Sequence, residues 1–450
     1  MASSGPASSR TRGLLKATLT LLAGGAFAQL LPLLLGPLLT RLYSPADYGA
    51  YQLFASVAIN LAVVACARYE FALPLAQDEA EARALWRLCR RILAGVSLLA
   101  ALGGLGWALV SGQAWPLWLG PAVAVGGALS LVGMAATRAQ RFQSLAWARV
   151  IQYSGASIAQ VLAGWAQAGA QGLILAPVLA QAAATWLLGR GAVPKPPTGD
   201  LLPGLREVAR RHRDFPLLNT PHAFLGALQD TLSVALLAAT LGPAAAGFWG
   251  LALRYLKAPA SLVGSAVSQA LYPQLAAGVA GPGRGAGRGP TLAGRAAVRQ
   301  VMGVLALLAL PLVVALVALG PWVFEWAFGA AWRDAGVLAR ALAVYVGAHF
   351  VASPLAVVTM AWGAQAWALR LALWGQLLFV VALGLGLHLG GLAGAGWGVS
   401  AAMTAYFAWY FWRLATWPVV EDVDPHTPLV EPLKQPPKEP PKQPPADAGA

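Results

Sequence analysis

Charge is scarce in this chain. Asp, Glu, Lys and Arg make up 11% of 450 residues, and only 17 of them are acidic. A soluble protein of this length would form two or three domains, whose surfaces need roughly a quarter of all residues charged, so that class is excluded. Cysteine is nearly absent. Cys66 and Cys89 alone make no disulfide framework. No zinc-ligand pair and no Walker A sequence appears, which removes a structural zinc site and transport driven by ATP hydrolysis.

What is present is apolar: 58% of the residues are hydrophobic and the mean hydropathy is +0.62. Twelve apolar stretches stand at about 14–39, 48–67, 92–111, 116–136, 147–166, 172–188, 217–241, 245–275, 300–320, 336–361, 367–387 and 392–414. Each matches a hydrocarbon core of about 30 Å. Of the 31 basic residues, 26 fall at the N-terminus, the C-terminus or in every second gap, counting Lys16, Arg149, Arg370 and Arg413, which stand within the first or last few residues of the adjoining stretch. The intervening gaps hold Arg41 and Arg333, and Arg254, Lys257 and Arg340 lie inside stretches away from any of these basic gaps. Lys and Arg are retained on the cytoplasmic side. The alternation therefore predicts an all-α polytopic protein with twelve transmembrane helices and both termini in the cytoplasm. The net charge of +14 is spread over short loops on one face, so its expected partners are anionic membrane lipids and not nucleic acid. Trp86, Trp115, Trp118, Trp322, Trp326 and Trp332 stand near span ends, as in an interfacial aromatic belt.

Residues 1–188 form an N-terminal six-span unit and 217–416 a C-terminal one. The basic N-terminus followed by Ala26-Phe27-Ala28 resembles a signal peptide, but the apolar run continues through Leu39, which favours an uncleaved first helix. Between the units, 189–216 interleaves Leu205, Val208 and Phe215 with Arg206, Arg210, Arg211 and Arg213, a basic amphipathic helix expected on the cytoplasmic leaflet. The Gly/Arg-rich gap at 277–299 reads as flexible, and the Pro-rich tail 417–450 as disordered with polyproline II character.

The two units contain a repeat. Pro45-x3-Gly49-x-Tyr51 matches Pro243-x3-Gly247-x-Trp249, each in the turn between the first and second span of its unit, 198 positions apart. Parallel repeats of this kind are a transporter architecture, with cargo handled between the halves.

Polar side chains inside the bilayer are costly, so their placement carries functional information. The seventh span has Asn219, His222, Gln229/Asp230 and Ser233 on one helical face. The eighth has Arg254, Lys257, Ser261, Ser265, Ser268 and Tyr272 at steps of three and four. Two readings stand: the stripes line a shared wet cavity suited to an anion such as a diphosphate, or Asp230 pairs with Arg254 or Lys257. Both can hold. Arg340 and His349 in the tenth span would extend the cavity, although a membrane His is more often a packing residue. Arg68 and Glu70, near the membrane surface, read as a local ion pair in preference to a transport site. The small-residue face of the first span, Gln29, Pro32 and Gly36 included, fits close helix packing. His212-Arg213-Asp214 with Asn219 mimics a kinase loop without the rest of that signature. Asp422-Val423-Asp424 lies in the tail, and Gly386, Gly390, Gly394 and Gly398 recur at a helix-packing interval.

The segment Leu39-Thr40-Arg41-Leu42-Tyr43-Ser44-Pro45-Ala46-Asp47-Tyr48-Gly49, followed by Arg68-Tyr69-Glu70, resembles the opening of Wzx-type flippases of the multidrug/oligosaccharidyl-lipid/polysaccharide (MOP) exporter superfamily. Asp214-Phe215-Pro216, Ala246-Gly247-Phe248 with Leu253-Arg254, Ser265 to Gln269 and the Glu325–Arg340 region extend the likeness over about 14–415. The resemblance implies a MATE-like bundle of two six-helix lobes. It implies flipping of undecaprenyl-diphosphate-linked oligosaccharides across the bacterial cytoplasmic membrane by alternating access, and so a transporter, not an enzyme. It casts Arg254 and Lys257 as the groups that attract the diphosphate. No cofactor is expected, apart from a coupling proton or sodium ion with Asp230 as first candidate. A monomer is expected, with other polysaccharide-assembly membrane proteins as candidate partners. A drug antiporter would bury acidic residues in mid-span of the N-lobe. A membrane-embedded polymerase or ligase needs a large periplasmic loop, and the longest here is about 321–335.

Overall fold

The computed structural model describes residues 29–194, 203–279 and 290–419. The early part of the first span, the Pro-rich start of the linker, the middle of the Gly/Arg-rich gap and nearly all of the tail, with its Asp-x-Asp, lie outside the described residues. Within them every element is helical, and no strand is present.

Local chemistry places the helix boundaries. The second span, Pro45–Val63, starts at a capping box: Ser44 Oγ accepts from the Asp47 amide (3.1 Å), and the Asp47 carboxylate accepts from the Ser44 amide (3.3 Å). That arrangement satisfies orphan amides at the helix start, and Pro45 fits the first turn without a missing bond. Asp47 Oδ1 also accepts from the Ala170 amide (3.2 Å), which fixes the second span to the start of the sixth, Gly169–Gly189.

The third span belongs to a helix running Glu79–Ser111, 33 residues long. At 1.5 Å per residue that is about 50 Å, well beyond a 30 Å core. Its first turns therefore project past the apolar stretch that begins at 92. The fourth span is Leu119–Arg138. The fifth is Phe142–Val150, a π-helical turn Ile151–Gly155 and Ala156–Trp165. Another π turn, Phe215–Asn219, leads into the seventh, Thr220–Leu241. The eighth is Pro243–Val279, the ninth Leu292–Phe328 and the tenth Arg333–Ala361. Residues 292–299 of the gap read as flexible are thus the first turns of the ninth helix.

The eleventh and twelfth spans run together as Gln365–Ala415, interrupted only at Gly390 and at Gly391, whose φ of +58° suits glycine. The chain reverses there. A Cβ on Gly386 would strike the Gly394 carbonyl, and one on Gly398 would come within 2.8 Å of the Ala382 oxygen. Gly386, Gly394 and Gly398 are therefore packing positions between these two spans, as the sequence suggested, whereas Gly390 lies in the break and a Cβ there would meet nothing.

Seven of the described helices are long and apolar enough to cross a membrane. One of them holds both the eleventh and twelfth stretches. The molecule is a multi-pass membrane protein. The second to sixth spans pack among themselves, as do the seventh to twelfth. The two groups meet where the second span lies against the seventh and eighth.

The linker helix Leu205–Arg211 differs from expectation. Val208 is buried, in one apolar cluster with Leu73, Leu85 and Ala136, and Tyr69 Oη donates to the Ala209 carbonyl (3.1 Å). Val208 finds a protein surface at the projecting end of the third-span helix, whereas Leu205 and Phe215 stay half-buried. The Trp set also divides. Trp322 and Trp326 are exposed and stacked on each other, whereas Trp332, Trp86 and Trp115 are buried.

Candidate functional site

The two repeated motifs meet each other. A Cβ on Gly49 would overlap the Pro243 carbonyl and one on Gly247 the Pro45 carbonyl, so the helix starts of the second and eighth spans touch backbone to backbone. Only glycine permits that approach. The contact is reciprocal, which places the pseudo-twofold relation between the halves at this point.

Around it the two halves are sealed. Arg254 Nη1 donates to Tyr48 Oη (3.0 Å) and Nη2 to the Pro32 carbonyl (3.3 Å). Tyr255 Oη donates to the Leu33 carbonyl (2.7 Å), and its ring lies where a side chain on Gly36 would stand. Trp332 Nε1 donates to the Thr40 carbonyl (2.9 Å), with its ring edge-on to Tyr48 and Phe248. The first span thus offers backbone oxygens at Pro32, Leu33 and Thr40 to three side chains of the C-lobe. Pro32 is followed by a break at Leu35; a proline there removes an intrahelical donor.

Further along the seam, Thr231 Oγ1 donates to the Ser56 carbonyl (3.1 Å) and accepts from Asn60 Nδ2 (3.3 Å). Ser56 and Asn60 are buried, and Asn60 Oδ1 has no partner. Sequence reading missed Tyr48, Tyr255, Trp332, Asn60 and Thr231 as seam residues. Aromatic and hydroxyl side chains in apolar spans signal packing as readily as contact between lobes.

The predicted cavity residues separate into groups. Asn219, His222 and Asp230 are exposed on the seventh span, Gln229 is half-buried, and Ser233 is buried with its hydroxyl on the Gln229 carbonyl (2.7 Å). On the eighth span Ser261, Ser265 and Tyr272 are exposed and Lys257 is half-buried. Ser261 and Ser265 bond only to carbonyls of their own helix, whereas Ser268 donates to the Pro354 carbonyl (3.0 Å) in the tenth span. Among the described residues no ion pair joins Asp230 to Arg254 or Lys257. His349 packs beside Tyr345 and Phe407. Arg340 is nine residues from His349, on the opposite face of the same helix, and reaches the Ala318 carbonyl at 3.5 Å. The structure does not bring it to the others. Arg68 and Glu70 form no ion pair among the described residues either.

The linker is held by charge as well as by Val208. Glu81, in the projecting turns of the third-span helix, is 3% exposed. Its Oε2 accepts from the Gln77 amide (2.8 Å), and its Oε1 meets Arg211 Nη1 and His212 Nε2, each at 3.1 Å. Burial pushes its pKa up, but the Gln77 amide, His212 and Arg211 together outweigh it and hold the carboxyl below the usual carboxylate range. Beside it, Arg206, Glu207, Arg210 and Arg211 border an open depression of about 420 Å³.

A lobe seam closed at one end by a repeated glycine contact, with polar faces open beyond it, can be compared with known proteins. The family model described as polysaccharide biosynthesis protein matches residues 38–336. The chain belongs to that family. No curated protein sequence matches it. Among solved structures, an inward-facing MATE-family multidrug resistance transporter of the MOP superfamily aligns with a TM-score of 0.61 and 14% identity, over 88% of this chain and 98% of its own. The lipid II flippase MurJ, in an inward closed conformation, aligns at 0.62 and 10%, over 88% and 90%. A mutant of the Vibrio cholerae MATE transporter VcmN aligns at 0.55 and 17%, over 91% and 96%. This member of the polysaccharide biosynthesis protein family thus has the fold of MOP-superfamily transporters, as the resemblance implied.

Proposed function

We propose that this chain flips an undecaprenyl-diphosphate-linked oligosaccharide repeat unit from the cytoplasmic to the outer leaflet of a bacterial cytoplasmic membrane. The family match supports polysaccharide assembly as the setting. The observation that carries the transport reading is the asymmetry of the seam. The second and eighth spans are in backbone contact at Gly49 and Gly247, while the polar stripes stay exposed at Asn219, His222 and Asp230 and from Ser261 to Tyr272. Polar side chains facing lipid would be costly, so these line an aqueous path. With the charge alternation setting orientation, the closed end is periplasmic and the open end cytoplasmic. The conformation is the one that receives cargo from inside.

In this reading the cargo's diphosphate enters between the seventh and eighth spans and meets Lys257. Among the described residues Lys257 has no ion-pair partner. Arg254, one turn nearer the closed end, is occupied by Tyr48 and Pro32 and becomes available only when that end parts. Opening there would break the Arg254, Tyr255 and Trp332 bonds and expose a cation to the advancing anion, which compensates the loss. No chemistry on the cargo is involved. Asp230 is solvent-exposed and free to bind a coupling proton or sodium ion.

The test is genetic and chemical together. Deleting the gene should make lipid-linked repeat units accumulate on the cytoplasmic face, and the wild-type gene should clear them. Unchanged lipid-linked pools in the deletion strain would reject the cargo assignment. Failure of drug-sensitivity assays to respond would separate this from a small-molecule exporter of the same fold.

A further inference from the structure

Glu70 is 1% exposed, yet no cation of the described residues lies within ion-pair distance of it. Its Oε2 is buried without a hydrogen-bond partner, and its Oε1 receives one long bond from Ser130 Oγ (3.4 Å). The carboxyl sits in the short 3-10 helix Tyr69–Leu75, packed against the third and fourth spans and the Phe215–Asn219 turn. Among the described residues none of the surrounding cations forms an ion pair with it, although Arg68 is near enough to act on it and Arg87 of the third-span helix also has a buried Nε without a partner. Arg68 has φ +61°, lays its guanidinium over the Phe71 ring at 4.3 Å, and has a buried Nε without a partner. Cys66 and Cys89 are buried and free, and Arg138 of the fourth span is turned to the Leu73 and Ala76 carbonyls and to Glu79. From the linker side come Phe215 and, farther out, the exposed Asp214. A carboxylate so enclosed is strongly disfavoured, whereas a carboxylic acid is not.

The same short helix carries the linker. Tyr69, adjacent to Glu70, donates to the Ala209 carbonyl, and Tyr69, Val208 and Phe215 share one apolar cluster. Any movement that lets water reach Glu70 must disturb this support. We propose that Glu70 is a proton-binding site whose ionisation is coupled to docking of the interlobe linker: protonated while the linker is seated as here, deprotonated when the segment loosens. Proton release would then accompany a change in how the second lobe is tethered to the first. This does not depend on the identity of the cargo.

Full-length protein in lipid nanodiscs provides the test. Infrared difference spectra over a pH titration should show a protonated carboxyl C=O stretch at neutral pH that is missing in Glu70→Gln. Amide hydrogen exchange of residues 205–211, corrected for intrinsic rates, should accelerate as pH rises in the wild type. Glu70→Gln should lose at least tenfold of that pH-dependent change; Glu81, whose contribution to docking is lost in acid, acts with the opposite sign. Ser130→Ala, which removes the one donor and keeps the carboxyl, should move the infrared titration to higher pH and serves if Glu70→Gln fails to fold. A carboxyl band unchanged in Glu70→Gln, or an unmoved titration in Ser130→Ala, overturns the site. Identical exchange profiles in Glu70→Gln and wild type overturn the coupling.

Discussion

Gly49 and Gly247 face each other across the lobe seam, each pressed against the backbone of the other's helix start. This one contact joins the two copies of the internal repeat, and in the proposed reading it closes one end of the path.

The first prediction concerns that contact. Gly49→Val or Gly247→Val should disfavour the closed end by about 1–3 kcal/mol through overpacking, roughly a 5- to 150-fold shift in the equilibrium. Cysteine probes near Pro45 and Pro243 should become more reactive, while membrane insertion is retained. Unaltered reactivity would mean that the seam tolerates a side chain.

Arg254 separates two roles. Arg254→Ala should impair export without loss of insertion. If its work is sealing, Tyr48→Phe should reproduce part of the loss, and the double variant should be no worse than Arg254→Ala alone. Lys257→Ala should weaken cargo binding and leave probe reactivity at the seam unchanged. Full export by Arg254→Ala would remove it from the mechanism.

The Asn60–Thr231 bond is an inter-lobe contact inside the apolar layer. Such bonds contribute about 0.6 kcal/mol on average and up to about 2. A double-mutant cycle of Asn60→Ala and Thr231→Val, read as thermal stability of the detergent-solubilised protein, should give a coupling of that order. Additivity would show that the pair is not energetically linked.

Glu81 predicts a pH dependence. Its carboxyl lies below the usual range when the linker is docked. Docking therefore gains stability that is fully present above the undocked value and lost as pH falls through the docked one. Protease cleavage in the 205–213 segment should rise in acid, and Glu81→Gln should show the same cleavage already at neutral pH. Resistance in Glu81→Gln would leave Val208 and Tyr69 as sufficient anchors.

Trp332→Phe keeps the aromatic body and deletes the bond to the Thr40 carbonyl, leaving a buried acceptor unsatisfied at a cost of about 1–3 kcal/mol. The closed end should open more often, measured by the same cysteine probes.

Spans and repeat were legible in the amino-acid order because both are one-dimensional. Burial in lipid demands runs of about twenty apolar residues, and the repeat is written twice in the same letters. The polar stripes on the seventh and eighth spans were readable from helical spacing, as was the packing use of Gly386, Gly394 and Gly398. What each polar group faces was not, because it depends on the neighbour. Arg254 bonds to a tyrosine 206 positions earlier, and Arg340 points away from His349 although both lie on one helix. Glu70 sits two residues from Arg68 without pairing with it, because a left-handed turn at Arg68 directs the guanidinium over Phe71. The amphipathic linker had its apolar stripe in the sequence, but that Val208 of it packs on protein was decided by the projecting third-span helix. Periodicity sets which residues share a face; only the folded arrangement of helices sets what that face meets, since the partners come from distant parts of the chain.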